Sequence, residues 1–226
     1  MERYSRNRNS LTEQDQEKLA ECRVLIAGCG GLGGYVTELL ARVGVGRLTV
    51  VDGDVFEESN LNRQILCTTE TLGKSKAAAA AERIGEVNPL VTCEAIGEFL
   101  TEENADRILA GHDIAVDALD NADSRALLLA AAARFGIPLV HGAIAGFLGR
   151  VSVIYPGDGA SALLSNKSQN RGIEQETGNL SFTASCVASI QAAETVKCLL
   201  SKGQLCRNRT IEVDLLGGAF ETIDFS

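Results

Sequence analysis

The sequence contains no Cys-x-x-Cys pair, only two histidines (His112 and His141), and no apolar run near the roughly 18 residues of a membrane span. Too few paired thiols and imidazoles remain for a structural zinc site. Positive charge is also short. Lys and Arg total 21 against 30 Asp and Glu, a net charge of −9, which argues against a protein built to hold a nucleic-acid backbone. Local cations can still hold a small anion. The opening "MERYSRNRNS" lacks the apolar core of a signal peptide. The cysteines (Cys22, Cys29, Cys67, Cys93, Cys186, Cys198 and Cys206) are odd in number and without paired spacing. Several fall in apolar patterns, where a reduced cysteine acts as a small hydrophobe, so a reducing cytoplasm is expected.

What is present is a core-forming α/β pattern. With 45% hydrophobic residues in 226, a substantial core is affordable. Strands are predicted at 23–28, 47–52, 91–96, 113–117 and 138–143, with helices near 31–43, 74–87, 101–110 and 122–135 between them. Such alternation predicts a Rossmann-like, mostly parallel sheet with helices on both faces. "GRVSVIYPG" reads as another strand, followed by a polar, aperiodic stretch over 157–179. A loop of that length in a compact domain is more often functional than connective. A helix over 181–201 and the strands "RTIEVDLL" and "AFETIDF" then predict an antiparallel extension of the same sheet. With no repeat and no linker, residues 1–226 read as one domain that starts with an N-terminal arm and helix over 1–20.

"VLIAGCGGLGGYV" carries Gly28, Gly30 and Gly33 in G-x-G-x-x-G spacing between a strand and a helix, and "RLTVVD" ends in Asp52, 19 residues beyond Gly33. Small glycines let the backbone approach phosphate, the helix start attracts it, and the acid can take a ribose hydroxyl. A dinucleotide for hydride transfer and ATP both satisfy this pattern. The next segment separates them. "VDGDVFEESNLNRQ" continues past Asp52 with Asp54, Asn60, Asn62, Arg63 and Gln64, and an arginine so close to the ribose acid suits phosphate oxygens. Lys74, expected on the first turn of the next helix, would add a second cation. "GKS" at 73–75 is no P-loop, since Thr68 stands where that motif needs glycine. In "DIAVDALDNADSR", Asp120 falls at the carboxyl end of a strand, where open α/β folds place their ligands. Two readings stand for it: a magnesium ligand facing the cations, or a helix N-cap, shared among Asp120, Asn121 and Asp123. His141, following a strand, reads as a packed or hydrogen-bonded residue.

Taken together, "GCGGLGG", "VDGDVFEESNLNRQ", "LGKSKA", "NP" at 88–89, "DALDN" and "IPLVHGA" resemble, in order and spacing, the ThiF/MoeB/HesA family, bacterial relatives of ubiquitin-activating enzymes. The resemblance runs from about Arg3 to Lys202. It implies an adenylyltransferase that uses ATP and Mg²⁺ to activate the C-terminal glycine carboxylate of a small ubiquitin-like sulfur carrier. It further implies that Gly28, Gly30, Gly31 and Gly33 form the nucleotide loop and Asp52 holds the ribose, with Asp54 beside it. Asn60, Arg63, Gln64 and Lys74 would surround the phosphates, and Asp120 would bind Mg²⁺. The family resemblance also implies a homodimer in which Arg6 reaches into the partner's site. The polar arm that bears Arg6 would be disordered alone, its three arginines lacking an evident partner in the chain.

Two departures from the family pattern matter. Where many members carry two Cys-x-x-Cys pairs, this chain has Ala160, Ser161, Ala162 and Leu163 and lacks the second pair, so no zinc is expected. The 157–179 loop, expected to guide the carrier's tail, has no cysteine for a covalent adduct. Cys186 reads as core, and Cys67 as partly exposed. The activity is therefore expected to stop at the acyl-adenylate, with a separate sulfur donor. The alternatives are an enzyme resembling tRNA threonylcarbamoyladenosine dehydratase and, from the glycines alone, an NAD-dependent oxidoreductase.

Overall fold

Five apolar runs become β1 (Arg23–Ala27), β2 (Arg47–Val51), β3 (Thr92–Ile96), β4 (Ile114–Asp117) and β5 (Leu139–Ala145). In the computed structural model, which describes residues 2–158 and 177–225, they pair in parallel in the order β3-β2-β1-β4-β5. The strands β6 (Leu148–Ile154), β7 (Arg209–Asp214) and β8 (Ala219–Asp224) follow β5 antiparallel and complete one eight-stranded sheet. The antiparallel extension expected from the last third is thus part of the main sheet.

Among the described residues the α-helices are α1 (Glu13–Glu21), α2 (Gly33–Val43), α3 (Lys76–Val87), α4 (Glu102–Leu109), α5 (Ala122–Phe135) and α6 (Ser181–Leu200). Side chains alternate across the pleat of β1: Val24 and Ile26 join the core under α2, α3 and α6, whereas Leu25 and Ala27 join that under α4 and α5. Covering on both faces explains why β1, β2 and β4 are buried at nearly every position rather than at alternate ones, while the edge strand β3 stays largely exposed. Among the described residues no helix is long and apolar enough to cross a membrane.

Two local outcomes differ from the sequence reading. The third helix starts at Lys76, because the Ser75 hydroxyl accepts from the Ala78 N–H and acts as its N-cap. Lys74 therefore lies in the turn before α3, exposed, and not on its first turn. The N-terminal arm is ordered as a 3₁₀ helix over Glu2–Asn7. Arg3 donates to the Val87 carbonyl at 2.7 Å, and Asn88 Nδ2 donates to the Tyr4 hydroxyl at 2.8 Å. Asn7 adds a bond to Gln16, which in turn donates to the Val43 carbonyl. These contacts hold the arm at the carboxyl ends of α2 and α3. Of the loop expected over 157–179, residues 159–176 lie outside the described residues, as do Ala160 to Leu163.

Candidate active site

The strand order reverses between β1 and β4, and the loops that leave their carboxyl ends open a cleft of about 320 Å³ there. Open α/β sheets take ligands at this crevice. Its floor is the turn after β1. Gly28 adopts φ +95°, and a Cβ on Gly33 would lie 1.8 Å from the Gly28 carbonyl oxygen. Only a bare Cα lets α2 begin so close beneath the turn. Gly30 and Gly31 line the cleft without such crowding, since a Cβ on either would meet its nearest neighbour at 3.5 Å or more.

Asp52 at the end of β2 is fixed by two backbone donors. Cys29 N–H reaches Oδ2 at 2.7 Å and Asp54 N–H reaches Oδ1 at 2.9 Å. Burial pushes its carboxyl above the ordinary carboxylate value, against the pull of these two amides. The carboxylate ties the end of β2 to the glycine turn, and Asp52 lines the cleft.

Among the described residues, three cationic side chains line the same cleft, Arg63, Lys76 and Arg125, and the first two stand by the segment after β2. Arg63 is steadied through Nη1 by the Ser59 carbonyl at 3.1 Å and Asn62 Oδ1 at 2.9 Å. The second is Lys76, not Lys74. Lys76 is buried, and its ammonium pairs with Asp54 Oδ2 at 3.1 Å, while Lys74 is not among the lining residues. The helix-capping serine in "GKSKA" was the signal that distinguishes the two lysines. Gln64 is buried beside Gly30 with its Oε1 unpartnered, and Asn179 lines the cleft with an equally unpartnered Oδ1. Asn60 is placed elsewhere: its Oδ1 accepts from Glu57 N–H at 3.1 Å, closing a short 3₁₀ turn that sets up Arg63, and it does not line the cleft.

Asp120, on the loop after β4, lines the same cleft. The cap reading of this residue is settled by its neighbour: Asn121 is the N-cap of α5, with its side chain accepting from Ser124 N–H at 2.8 Å. Asp120 is left exposed on the cleft wall. An exposed carboxylate in a cleft that also holds cations suits Mg²⁺, which commonly takes one or two protein carboxylates and completes its shell with phosphate oxygens and water.

Sequence reasoning missed a buried group behind this wall. Asp117 is fully buried; its Oδ2 accepts from His141 Nδ1 at 2.7 Å and lies 3.9 Å from Arg125 Nε. His141 is hydrogen-bonded as expected, and burial pushes its imidazole below the usual histidine value against the opposing pull of Asp117. Cys67 is buried, contrary to the partial exposure expected, with its thiol against the Glu57 carbonyl. Burial also pushes the half-buried Cys186 thiol upward, away from thiolate character. Arg6 lies on the docked arm, at the far end of α2 from the cleft. That helix of 11 residues spans roughly 16 Å.

Fold and site together define a Rossmann-like α/β protein with an acid-and-cation cleft at its topological switch point. Residues 4–226 match the ThiF family model, and the chain belongs to the ThiF family. The SAMP-activating enzyme E1 of Haloferax volcanii is 36% identical over 230 residues, spanning 100% of this chain and 85% of that protein. The sulfur carrier protein adenylyltransferase of Thermus thermophilus is 38% identical over 219 residues, 93% of this chain and 81% of its own length. Among solved structures, E. coli MccB superposes with a TM-score of 0.85 at 20% identity, covering 99% of this chain and 71% of that one. That last likeness is one of fold.

Proposed function

We propose that the protein is an ATP-dependent adenylyltransferase that activates the C-terminal glycine carboxylate of a small ubiquitin-like sulfur carrier. The observation that carries this reading is the convergence of Asp52, Arg63, Lys76 and Asp120 on one glycine-floored cleft. Relatives named as carrier-activating enzymes, at 36% and 38% identity over nearly the whole chain, support the same chemistry.

In this account the glycine turn and the start of α2 receive the phosphates, and Asp52 takes the ribose hydroxyls. Arg63 and Lys76 flank the phosphates, so that a carboxylate can approach an otherwise repelling α-phosphate. The attacking oxygen forms a new bond to phosphorus while the bond to the pyrophosphate oxygen breaks. No proton moves, and no side-chain nucleophile is needed. Asp120 would hold Mg²⁺, which when bound supplies charge neutralisation to the triphosphate. Asp54, paired with Lys76, sets the height of its ammonium in the cleft. The acyl-adenylate is the product, and a separate sulfur donor acts afterwards. Seven free thiols suit a reducing cytoplasm.

The active form is a homodimer in which Arg6 serves the partner's cleft. The docking of the arm at the far end of α2 supports this, because Arg6 is thereby held away from its own cleft. Intact mass spectrometry of a carrier ending in Gly-Gly, incubated with the protein and Mg·ATP, tests the reading. Addition of one adenylate to the carrier is expected. Unmodified carrier with adenylate on RNA substrates, or stabilisation of the protein by NAD but not by ATP, would contradict it.

A further inference from the structure

The turn that carries Asp120 is gripped on both sides of a single peptide residue. Leu119 N–H donates to Asp117 Oδ1 at 3.0 Å, and the Leu119 carbonyl accepts from Arg125 Nε at 3.0 Å and Nη2 at 2.7 Å. Both gripping side chains are buried, Asp117 at 0% and Arg125 at 4% exposure, and they lie 3.9 Å apart. The grip is itself anchored. His141 on β5 donates to Asp117 Oδ2, and from the opposite face of the sheet Gln191 on α6 donates to the Asp117 carbonyl at 2.8 Å. Arg125 also lines the cleft.

A buried ion pair is a weak source of stability, because desolvation offsets its attraction. Geometric control is what a planar guanidinium and a carboxylate add when both hold one backbone residue. We propose that Asp117 and Arg125 are positioning residues: they clamp the Leu119 peptide and thereby fix the Asp120 carboxylate at the height where it meets the metal–triphosphate. Neither need touch substrate to do so. This proposal rests on the reading of the cleft as a Mg·ATP site. It adds to that reading the residues that hold the metal ligand in place.

The test compares wild type, Arg125→Lys, Arg125→Gln, Asp120→Asn and the Arg125→Lys/Asp120→Asn double variant. Lysine keeps the charge and loses the fork, so it remains informative if the glutamine variant fails to fold. Binding of a non-hydrolysable ATP analogue is measured with and without Mg²⁺, and hydrogen exchange of the Leu119 amide is followed in parallel. Arg125→Lys should weaken Mg²⁺-dependent binding roughly tenfold, the scale of one charge-assisted hydrogen bond. Metal-free binding should stay within about twofold, and in the Asp120→Asn background the second change should add little. The Leu119 amide should exchange faster. Equal losses with and without Mg²⁺, full additivity with Asp120→Asn, or unchanged exchange at Leu119 would overturn the clamp. If wild-type binding depends on neither Mg²⁺ nor Asp120, the reading of the cleft fails, and the link from clamp to metal is overturned with it.

Discussion

At the residue scale, the ammonium of Lys76 separates two lysines that stand two positions apart. Lys76 is buried in the cleft against Asp54, while Lys74 is exposed outside it. Lys76→Ala should therefore lower adenylation by about 10² to 10³, the usual effect of losing one preorganised charge at a developing anion. Lys74→Ala should change it by less than about threefold, as for a solvated surface site. Initial rates of adenylate transfer check both, and equal losses in the two variants would return the role to Lys74. A second residue-scale expectation concerns pH. Burial lowers the affinity of His112 and His141 for protons, so the unfolded chain binds protons that the folded one refuses. Their contribution is fully present above the unfolded value of 6.5 and is lost as pH falls below it. Unfolding free energy from denaturant titrations should drop between pH 7 and pH 5.5, by at most about 1.4 kcal/mol per pH unit for each histidine. His112→Gln should remove one share of that slope; an unchanged slope would show that His112 stays accessible to protons in the fold. The groups facing these rings are Glu94, Asp113 and Arg23 at His112, and Asp117, Arg125 and Arg150 at His141.

At the scale of the element, the turn from β1 into α2 splits its glycines into two kinds. A methyl at Gly33 would overlap the Gly28 carbonyl at 1.8 Å, and backbone, unlike a side-chain tip, has nowhere to move. A methyl at Gly31 would meet Arg63 Cγ at 3.7 Å, an ordinary contact. Gly33→Ala should thus cost about 3 kcal/mol or more in stability, the upper end for overpacked sites. Gly31→Ala should unfold within a few degrees of wild type and yet lose nucleotide affinity, because its methyl occupies the phosphate approach. Calorimetric melting with and without ATP distinguishes these outcomes. The glycine turn was legible in the sequence because its chemistry is local: spacing, flanking strand and following helix lie within a short run. The start of α3 was misread: the sequence pattern began the helix near residue 74, whereas the Ser75 cap starts it at Lys76 and so exchanges the roles of the two lysines. Asp117, His141 and Arg125 were not legible as a group. Asp117 and His141 stand 24 positions apart, and only the parallel register of β4 with β5 sets them side by side.

At the scale of the whole molecule, the sequence pattern of alternating strands and helices carried the parallel half of the sheet and its antiparallel extension. The strand order was less accessible, since it depends on where each crossover returns. The arm was misjudged for a similar reason. Its residues are polar, yet Arg3, Tyr4 and Asn7 find partners on α1 and at the carboxyl ends of α2 and α3, brought there by folding. If Arg6 serves a partner's cleft, Arg6→Ala and Asp120→Ala proteins should each be inactive alone and regain activity when mixed under conditions that exchange subunits. Demonstrated exchange without recovered activity would remove Arg6 from the site. The central claim is that the cleft joins a carrier's terminal carboxylate to the α-phosphate of ATP. The most direct measurement is exchange of labelled pyrophosphate into ATP, with a Gly-Gly carrier and with the same carrier lacking its last glycine. The account predicts Mg²⁺-dependent exchange only with the intact carrier and its loss in Lys76→Ala; equal exchange with the shortened carrier, or with no carrier at all, would contradict it.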